Sequence, residues 1–314
     1  MKVYRSSSKF PAAAKNPVVA LGNFDGVHRA HQRMFQIAIR EARRVKGRAL
    51  AYTFDPHPVK VLSQASAPPM INTLGQKLEL MAETGLESAV VEPFDLKFAH
   101  LSAEEWFHKI LAKRLHARVV VVGYDFTFGS RRSGTVEVLE RLCAEAGVAC
   151  RVLEAQLQGE TLISSSQIRS FVAKGDVERA AALLGRWFFV DGKVIRGAGR
   201  GAELGFPTAN LQSENELKPA PGVYACFADV GRKRHRAVAN LGQNPTFGGT
   251  ALSLEAHLLN FKGKLYGKAL RLHFLKRLRE ERSFASAGDL VHQIRSDIRH
   301  AERAFTLAES RRFP

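Results

Sequence analysis

The sequence has few cysteines and no long apolar run. Its three cysteines, Cys143, Cys150 and Cys226, are spaced as neither a disulfide framework nor a metal-binding pattern. Chains without such frameworks are typical of reducing compartments, so we expect a cytoplasmic protein. No apolar stretch approaches the roughly 20 residues that a membrane-spanning helix needs. The basic N-terminal segment also lacks the apolar stretch of a secretory signal, so we expect no membrane association.

Acidic residues are scarce relative to basic ones. The 314 residues include 47 Lys and Arg against 30 Asp and Glu, a formal net charge of +17. A positive field attracts nucleic acids, acidic membranes or polyphosphate substrates. Apart from Lys276–Arg279 the basic residues are dispersed, and no zinc-finger, homeodomain or RNA-recognition pattern directs them. We therefore expect a basic solvated surface that helps to collect a polyphosphate, and keep a nucleic-acid-binding regulatory protein as the rival from another class.

The first half alternates short apolar runs with helical patterns. Strand candidates are Pro17–Gly22, Arg48–Phe54, Ser88–Pro93, Arg118–Gly123 and Ala149–Leu153. Helical stretches between them are His31–Lys46, Leu74–Thr84, Ser102–Leu115 and Gly134–Gly147. Valine-rich runs of this length suit strands that are buried on both faces. The alternation predicts an α/β domain with a Rossmann-like parallel sheet flanked by helices.

The pattern changes near Gly185. Short strand-like runs follow at Trp187–Ile195, Val223–Val230, His235–Leu241, Leu252–Leu259 and Ala269–Phe274. Their close spacing between turn residues predicts an antiparallel β-barrel, and Asp289–Ala308 reads as one amphipathic helix. We therefore predict two domains, residues 1–184 and 185–314.

The segment Gly22–Gln32, GNFDGVHRAHQ, reads as a strand end, a tight loop and a helix start. Gly22 and Gly26 permit a turn that a Cβ atom would obstruct. The helix would direct its N-terminal amides at a ligand above the strand. His28 and His31 lie three residues apart on one face, where two imidazoles suit the charge that builds on a phosphate in a transition state. A zinc-binding pair and a helix-capping pair stay open as alternatives.

A second glycine-rich segment, Gly197–Leu211, has the sequence GAGRGAELGFPTANL. It is no dinucleotide fingerprint, because Gly205 and Pro207 interrupt any following helix. A glycine-rich loop between strands can instead wrap its amides around a phosphate. Thr208 and Asn210 share one face of an extended segment and supply oxygen atoms, which Mg²⁺ prefers. A purely structural loop is the alternative.

Both segments resemble one known family. GNFDGVHRAHQ is similar to the His-x-Gly-His signature of nucleotidyltransferases, in the form found in bacterial bifunctional riboflavin kinase/FAD synthetases. TFDPHP at Thr53–Pro58, GYDFTFG at Gly123–Gly129 and ISSSQIR at Ile163–Arg169 follow in family order. GAGRGAELGFPTANL resembles the riboflavin kinase signature, and it is followed by Pro221–Ala225, Asn240–Gly249, Glu255–Gly267 and Phe274–Phe284. The resemblance covers almost the whole chain.

The resemblance implies two ATP-dependent steps with riboflavin, FMN and ATP as substrates and Mg²⁺ as the metal. The C-terminal domain would phosphorylate riboflavin to FMN, and the N-terminal domain would adenylylate FMN to FAD. The implied catalytic residues are His28, His31, Arg169 and Glu255, the last as general base. ATP and its phosphates would be bound by Gly22, Asn23, Asp25, Ser165, Ser166, Gly197, Gly199, Arg200, Gly201, Thr208 and Asn210. Asp125, Phe126 and Phe128 would line the flavin pocket, and Thr208 and Asn210 would hold the metal.

The sequence departs from the family pattern at a few positions. Ala30 replaces the usual central glycine of the first motif, and Thr127 stands where an arginine is common. An extra methyl group at Ala30 could crowd the nucleotide. It motivates a second rival interpretation, a riboflavin kinase whose N-terminal domain binds nucleotide without transferring AMP. The sequence predicts no particular oligomeric state.

Overall fold

The chain folds into two compact units, Met1–Ser164 and Ser165–Pro314. The structure, a computed structural model, describes residues 1–197, 199–243 and 252–310. Two helices that precede residue 185 belong to the second unit by their contacts. The functional boundary between residues 184 and 185 stays a prediction.

The first unit is built on a six-stranded sheet. Its strands are β1 (Lys2–Tyr4), β2 (Pro17–Leu21), β3 (Arg48–Asp55), β4 (Ser88–Pro93), β5 (Val119–Gly123) and β6 (Ala149–Leu153). All pairs are parallel, in the order β1-β4-β3-β2-β5-β6. β2 is buried along its whole length, because helices cover both faces. The predicted Rossmann-like sheet is confirmed. A short hairpin of β7 (Leu157–Gln158) and β8 (Thr161–Leu162) was not indicated by the sequence.

Helices connect the strands. They are α1 (Arg29–Arg44), α2 (Pro58–Leu62), α3 (Leu74–Glu83), α4 (Leu96–Ala99), α5 (Ala103–Trp106), which continues as a π-helix over Phe107–Arg114, and α6 (Val136–Glu145). Side chains explain where several begin. Ser102 and Glu105 form a capping box at α5, as their spacing predicts, and Thr73 and Gln76 form another at α3.

The second unit begins with α7 (Ser165–Ala173) and α8 (Val177–Leu184) and continues as a barrel. The barrel elements are β9 (Phe188–Ile195), α9 (Arg200–Glu203), β10 (Ala209–Gln212), β11 (Gly222–Val230), β12 (Lys233–Gln243), β13 (Leu252–Leu258) and β14 (Ala269–Arg279), followed by α10 (Ala287–Ser310). Neighbouring strands are antiparallel, and the barrel closes in the order β10-β13-β12-β11-β14-β9. The predicted barrel and final helix are confirmed.

Helix α10 covers one outer face of the barrel. Its Ala301 and Phe305 are fully buried and pack with Ala225 and Phe227 of β11. β11 is therefore buried on both faces, where a simple barrel would expose one. Within residues 1–197, 199–243 and 252–310, no helix is long and apolar enough to cross a membrane.

Candidate active sites

The strand order places the first predicted segment beside a crevice. From β2 the sheet runs one way through β3, β4 and β1, and the other way through β5 and β6. Open parallel sheets bind ligands beside such a switch point, at the carboxyl ends of the strands. The loops that leave β2 and β5 there comprise residues 22–28 and 124–135. The predicted phosphate loop and the predicted flavin loop are therefore neighbours.

The loop after β2 has an unusual backbone. Gly26 has a positive φ of 86°, as its predicted turn requires, but Phe24 and Val27 also have positive φ values, of 53° and 40°. Bulky and β-branched residues rarely adopt this conformation. Both side chains are buried, so packing holds the backbone in place. Strain of about 1–3 kcal/mol per residue is characteristic of binding and catalytic loops.

Asp25 fastens this loop to the segment before α3. Its carboxylate is buried and accepts the backbone N–H of Ile71 at 3.0 Å and of Asn72 at 3.3 Å. Asn23 is exposed beside it, and Gly22 continues the sheet by donating its amide to the Tyr52 carbonyl at 3.2 Å. Of these predicted ATP-binding residues, Asp25 therefore also has a structural task that its position in the motif does not indicate.

Lys77 of α3 contacts the loop after β2 and was not singled out from the sequence. Its side chain is buried, and Nζ donates to the Asn23 carbonyl at 3.3 Å, the Thr53 hydroxyl at 3.2 Å and the Phe54 carbonyl at 3.4 Å. Burial lowers the pKa of Lys77 to about 8, against the opposing charges of Asp25 and Asp55. A signal was available: Leu74, Lys77, Leu78 and Met81 lie at the spacing of an apolar helix stripe, and Lys77 is the charged member.

The two histidines form a stacked pair at the start of α1. Their ring centroids are 3.5 Å apart with 20° between the planes. His28 is buried and caps the helix, with Nδ1 accepting the His31 backbone N–H at 3.4 Å. Because Nδ1 accepts, the neutral His28 ring carries its proton on Nε2, a tautomer assigned from this geometry. His28 therefore does act as a helix cap, as the capping alternative predicts.

The loop after β5 carries the predicted flavin residues. Phe126 and Phe128 are stacked with centroids 5.7 Å apart and 18° between the rings. Phe128 is buried in the core against Trp106, whereas Phe126 is partly exposed and Asp125 is exposed. Phe126 thus offers ring surface, and Phe128 supports it from the core.

An arginine reaches the position where the family pattern has one. The Nε atom of Arg132 donates to the Thr127 hydroxyl at 2.9 Å. Arg131 and Arg132 both have positive φ values, of 53° and 59°. A guanidinium therefore lies beside Thr127 although the sequence lacks an arginine there.

Helix α7 carries the remaining residues predicted for the first reaction. It begins at Ser165, directly after Ser164. Ser165 and Arg169 are four residues apart and share a helix face, while Ile168 and Val172 are buried. Ser166 is exposed. By its contacts α7 belongs to the second unit, whereas the histidines belong to the first.

In the second unit the glycine-rich loop lies over β10. A Cβ atom at Gly197 would lie 2.1 Å from Asn210 Nδ2, and one at Gly201 would lie 2.6 Å from the Phe206 carbonyl. Only glycine allows this close approach. Gly199, with φ 77°, precedes the single turn of α9, which the sequence did not indicate. The side chain of Arg200 lies outside the described residues.

Thr208 and Glu255 are joined by a hydrogen bond. The Thr208 hydroxyl donates to Glu255 Oε2 at 3.1 Å. Glu255 of β13 is directly opposite Asn210 of β10 on one side and Asn240 of β12 on the other. Directly opposite residues of antiparallel strands share a face, so these polar side chains form a row across three strands. The position of Asn240 opposite Glu255 was not predicted, because strand register is invisible in a single sequence.

Part of one motif cannot be placed. Of the family-like stretch Asn240–Gly249, residues 244–249 lie outside the described residues. The described part, residues 240–243, is the end of β12.

The comparisons with known proteins agree on one family. Residues 10–167 match the FAD synthetase family model, and residues 184–305 match the riboflavin kinase model. The bifunctional riboflavin kinase/FMN adenylyltransferase of Escherichia coli K12 is 34% identical over 293 residues, 93% of this chain and 94% of the relative. The enzyme of that name from Bacillus subtilis 168 is 37% identical over 296 residues, 92% of each chain.

A solved structure shares the fold over both units. The crystal structure of a macrolide-efflux protein from Streptococcus pneumoniae superposes with a TM-score of 0.86 at 29% identity, covering 96% of this chain and 98% of that one. The family models and the relatives favour the bifunctional interpretation over a kinase alone and over a nucleic-acid-binding protein. The chain belongs to the family of bifunctional riboflavin kinase/FMN adenylyltransferases.

Proposed function

We propose that the second unit transfers the γ-phosphate of ATP to riboflavin, and that the His28–His31 site then transfers AMP from a second ATP to the resulting FMN. One observation carries this proposal. A single chain holds two separate phosphate-type loops, and each has its own candidate catalytic side chain close by, His28 in one and Glu255 in the other.

In the kinase step, Glu255 is the general base. It takes the proton of the riboflavin 5′-hydroxyl as that oxygen bonds to the γ-phosphorus and ADP leaves. Thr208 holds one carboxylate oxygen, which fixes the orientation of the other. Such positioning and charge neutralisation supply most of the rate in phosphoryl transfer. Gly197, Gly199 and Gly201 let the loop backbone approach the phosphates, and Arg200 is assigned to the same loop.

In the adenylyl step, an FMN phosphate oxygen bonds to the α-phosphorus of ATP and the bond to the diphosphate breaks. His28 Nε2 donates to the α-phosphate as negative charge builds there, and the His31 ring stacks on the His28 ring. Ser165, Ser166 and Arg169 hold the leaving diphosphate, while Asn23 and Asp25 position ATP. Asp125 and the Phe126–Phe128 pair hold the flavin.

The donor set of the second unit fits a magnesium ion. The Thr208 hydroxyl and the Asn210 amide oxygen are hard oxygen donors, and Glu255 adds negative charge nearby. These residues would hold Mg²⁺, which would neutralise charge on the transferred phosphate. A reducing location, the cytoplasm, accords with the three free cysteines.

The test is to incubate the full chain with riboflavin, ATP and Mg²⁺ and to separate the flavins by chromatography. We expect FMN first and FAD after it, with ADP and diphosphate as co-products. FMN without FAD would leave only the kinase assignment, and the absence of both flavins would overturn the proposal.

A further inference from the structure

Lys77 occupies a place where the sheet loses a strand. β3 runs to Asp55, but its partner β2 ends at Leu21, opposite Tyr52. The Tyr52 carbonyl still has a backbone partner, the Gly22 amide, at 3.2 Å. Carbonyls two residues apart in a strand point the same way, so the Phe54 carbonyl faces the gap that β2 leaves.

The Lys77 ammonium fills that gap. It donates to the Phe54 carbonyl of β3 and to the Asn23 carbonyl of the departing loop, and the buried Thr53 hydroxyl lies between them. Thr53 itself donates to the Asn23 carbonyl at 3.0 Å, so this carbonyl receives two hydrogen bonds. An ammonium has three hydrogens, and here each has an oxygen acceptor.

Fixing the Asn23 carbonyl also fixes the next amide. In a trans peptide the carbonyl and the following N–H point in opposite directions. The Phe24 N–H therefore points away from Lys77, at the residue where the loop first adopts its left-handed conformation. Within the loop itself the Val27 amide donates to the Phe24 carbonyl at 3.2 Å, so the position of Phe24 also sets that of the residue before His28. The same loop ends at His28, whose imidazole must lie against the α-phosphate.

We propose that Lys77 is a positioning residue for adenylyl transfer, holding the strained loop 22–28 in the conformation that presents His28 to the phosphates of ATP. This inference rests on the adenylyl transfer proposed above. The hydrogen bonds of Lys77 Nζ go to the loop and to β3, and Lys77 acts through them.

The first experiment compares Lys77→Met with Lys97→Met, an exposed lysine of the same unit, in the full chain. FAD formation from FMN and ATP is measured separately from FMN formation from riboflavin. We expect kcat for FAD formation to fall about 100-fold in Lys77→Met, since a misplacement of about 1 Å has that effect. KM for ATP should change much less, and Lys97→Met should match the wild type. If Lys77→Met lowers the thermal stability of the chain but leaves kcat for FAD formation unchanged, Lys77 has only a structural role.

A second variant serves if Lys77→Met does not fold. Thr53→Val has nearly the same volume and removes one acceptor of Lys77 and one donor to Asn23. It should lower kcat for FAD formation by about tenfold, the effect of losing roughly one hydrogen bond to a charged group. Wild-type kcat in a folded Thr53→Val chain would count against the proposal.

The pH profile supplies a readout that packing alone would not move. Asp25, from the loop after β2, and Asp55, from the end of β3, are the charges that act on Lys77, whose pKa is about 8. Above that pH the neutral amine has two hydrogens for three acceptors. We expect kcat for FAD formation by the wild type to decline above about pH 8 relative to the kinase step, and the residual activity of Lys77→Met to lack this decline. A flat wild-type profile would overturn the proposal, whereas a wild type that forms no FAD at any pH would instead overturn the adenylyl assignment.

Discussion

Single residues at both candidate sites combine a structural contact with a proposed chemical role. Nδ1 of His28 accepts the His31 amide as the cap of α1, and we propose that its ring also donates to a phosphate. Glu255 accepts from the Thr208 hydroxyl, and we propose that its carboxylate takes the proton of the substrate hydroxyl. These contacts orient each group before a ligand arrives, which lowers the entropy lost on reaching the transition state.

Glu255 is the residue whose replacement tests the kinase chemistry most directly. Glu255→Gln keeps the shape and an oxygen that can accept from Thr208, but it cannot take a proton. We expect kcat for FMN formation to fall by about 10²–10⁴-fold, the usual worth of a general base. FAD formation from added FMN should be unchanged. Glu280→Gln, whose side chain is 84% exposed in the same unit, is the control. Equal kinase rates in Glu255→Gln and wild type would remove the base assignment.

The sequence predicts residue identities at these sites better than it predicts their surroundings. The motif order predicted His28 at a helix start and Glu255 on a strand, and the structure places them there. The motifs did not indicate that Asp25 binds the amides of Ile71 and Asn72, since those partners are 46 and 47 residues away. The Arg132 contact with Thr127 was invisible for another reason: it depends on two left-handed arginines that no local rule favours.

At the scale of elements, the long and strongly patterned ones were predicted correctly. The strands Ser88–Pro93 and Ala149–Leu153 agree residue for residue with the sequence prediction. For Ser88–Pro93 the reason is its buried apolar run, which leaves little choice. Helix α8 and the β7–β8 hairpin were missed because eight-residue and two-residue elements carry too little pattern.

The loop after β5 depends on Gly129, which has a φ of 73°. A Cβ atom there would lie 2.7 Å from the backbone nitrogen of Ala103, where the loop crosses the start of α5. We expect Gly129→Ala to destabilise the first unit by more than the 1–2 kcal/mol or so of left-handed strain alone. KM for FMN should rise, since the loop carries Phe126.

Gly147→Ala is the matched control for that loop. Gly147 also has a positive φ, of 65°, but a Cβ atom there meets nothing within 4 Å. Thermal unfolding and FAD kinetics of both variants give the comparison. Equal destabilisation in the two would show that the contact with Ala103 contributes nothing.

At the scale of the whole molecule, some of the barrel arginines are engaged in local ion pairs. Arg234 pairs with Asp229 at 2.7 Å, and Arg271 with Asp191 at 2.6 Å. Arg271 also lies 4.1 Å from the Phe189 ring centroid. Because these arginines already contact acidic and aromatic side chains of the barrel, they are poorly placed to bind an extended polyanion. The net charge of +17 remains after these pairs are counted, and we expect its positive field to attract ATP.

The two reactions should also proceed on separate chains when two variants, each defective in one reaction, are mixed. His28→Asn keeps a good helix cap but removes the imidazole, so this chain should convert riboflavin only to FMN. Glu255→Gln should form no FMN, yet it retains His28 and Arg169 and should adenylylate FMN that it is given.

Because FMN is a stable product of one site and a substrate of the other, equal amounts of both chains should make FAD from riboflavin after a lag while free FMN accumulates. His108→Asn, an exposed histidine of the first unit, should behave as wild type. A mixture that accumulates FMN but never forms FAD, although Glu255→Gln alone converts added FMN, would mean that FMN must be passed on within one chain.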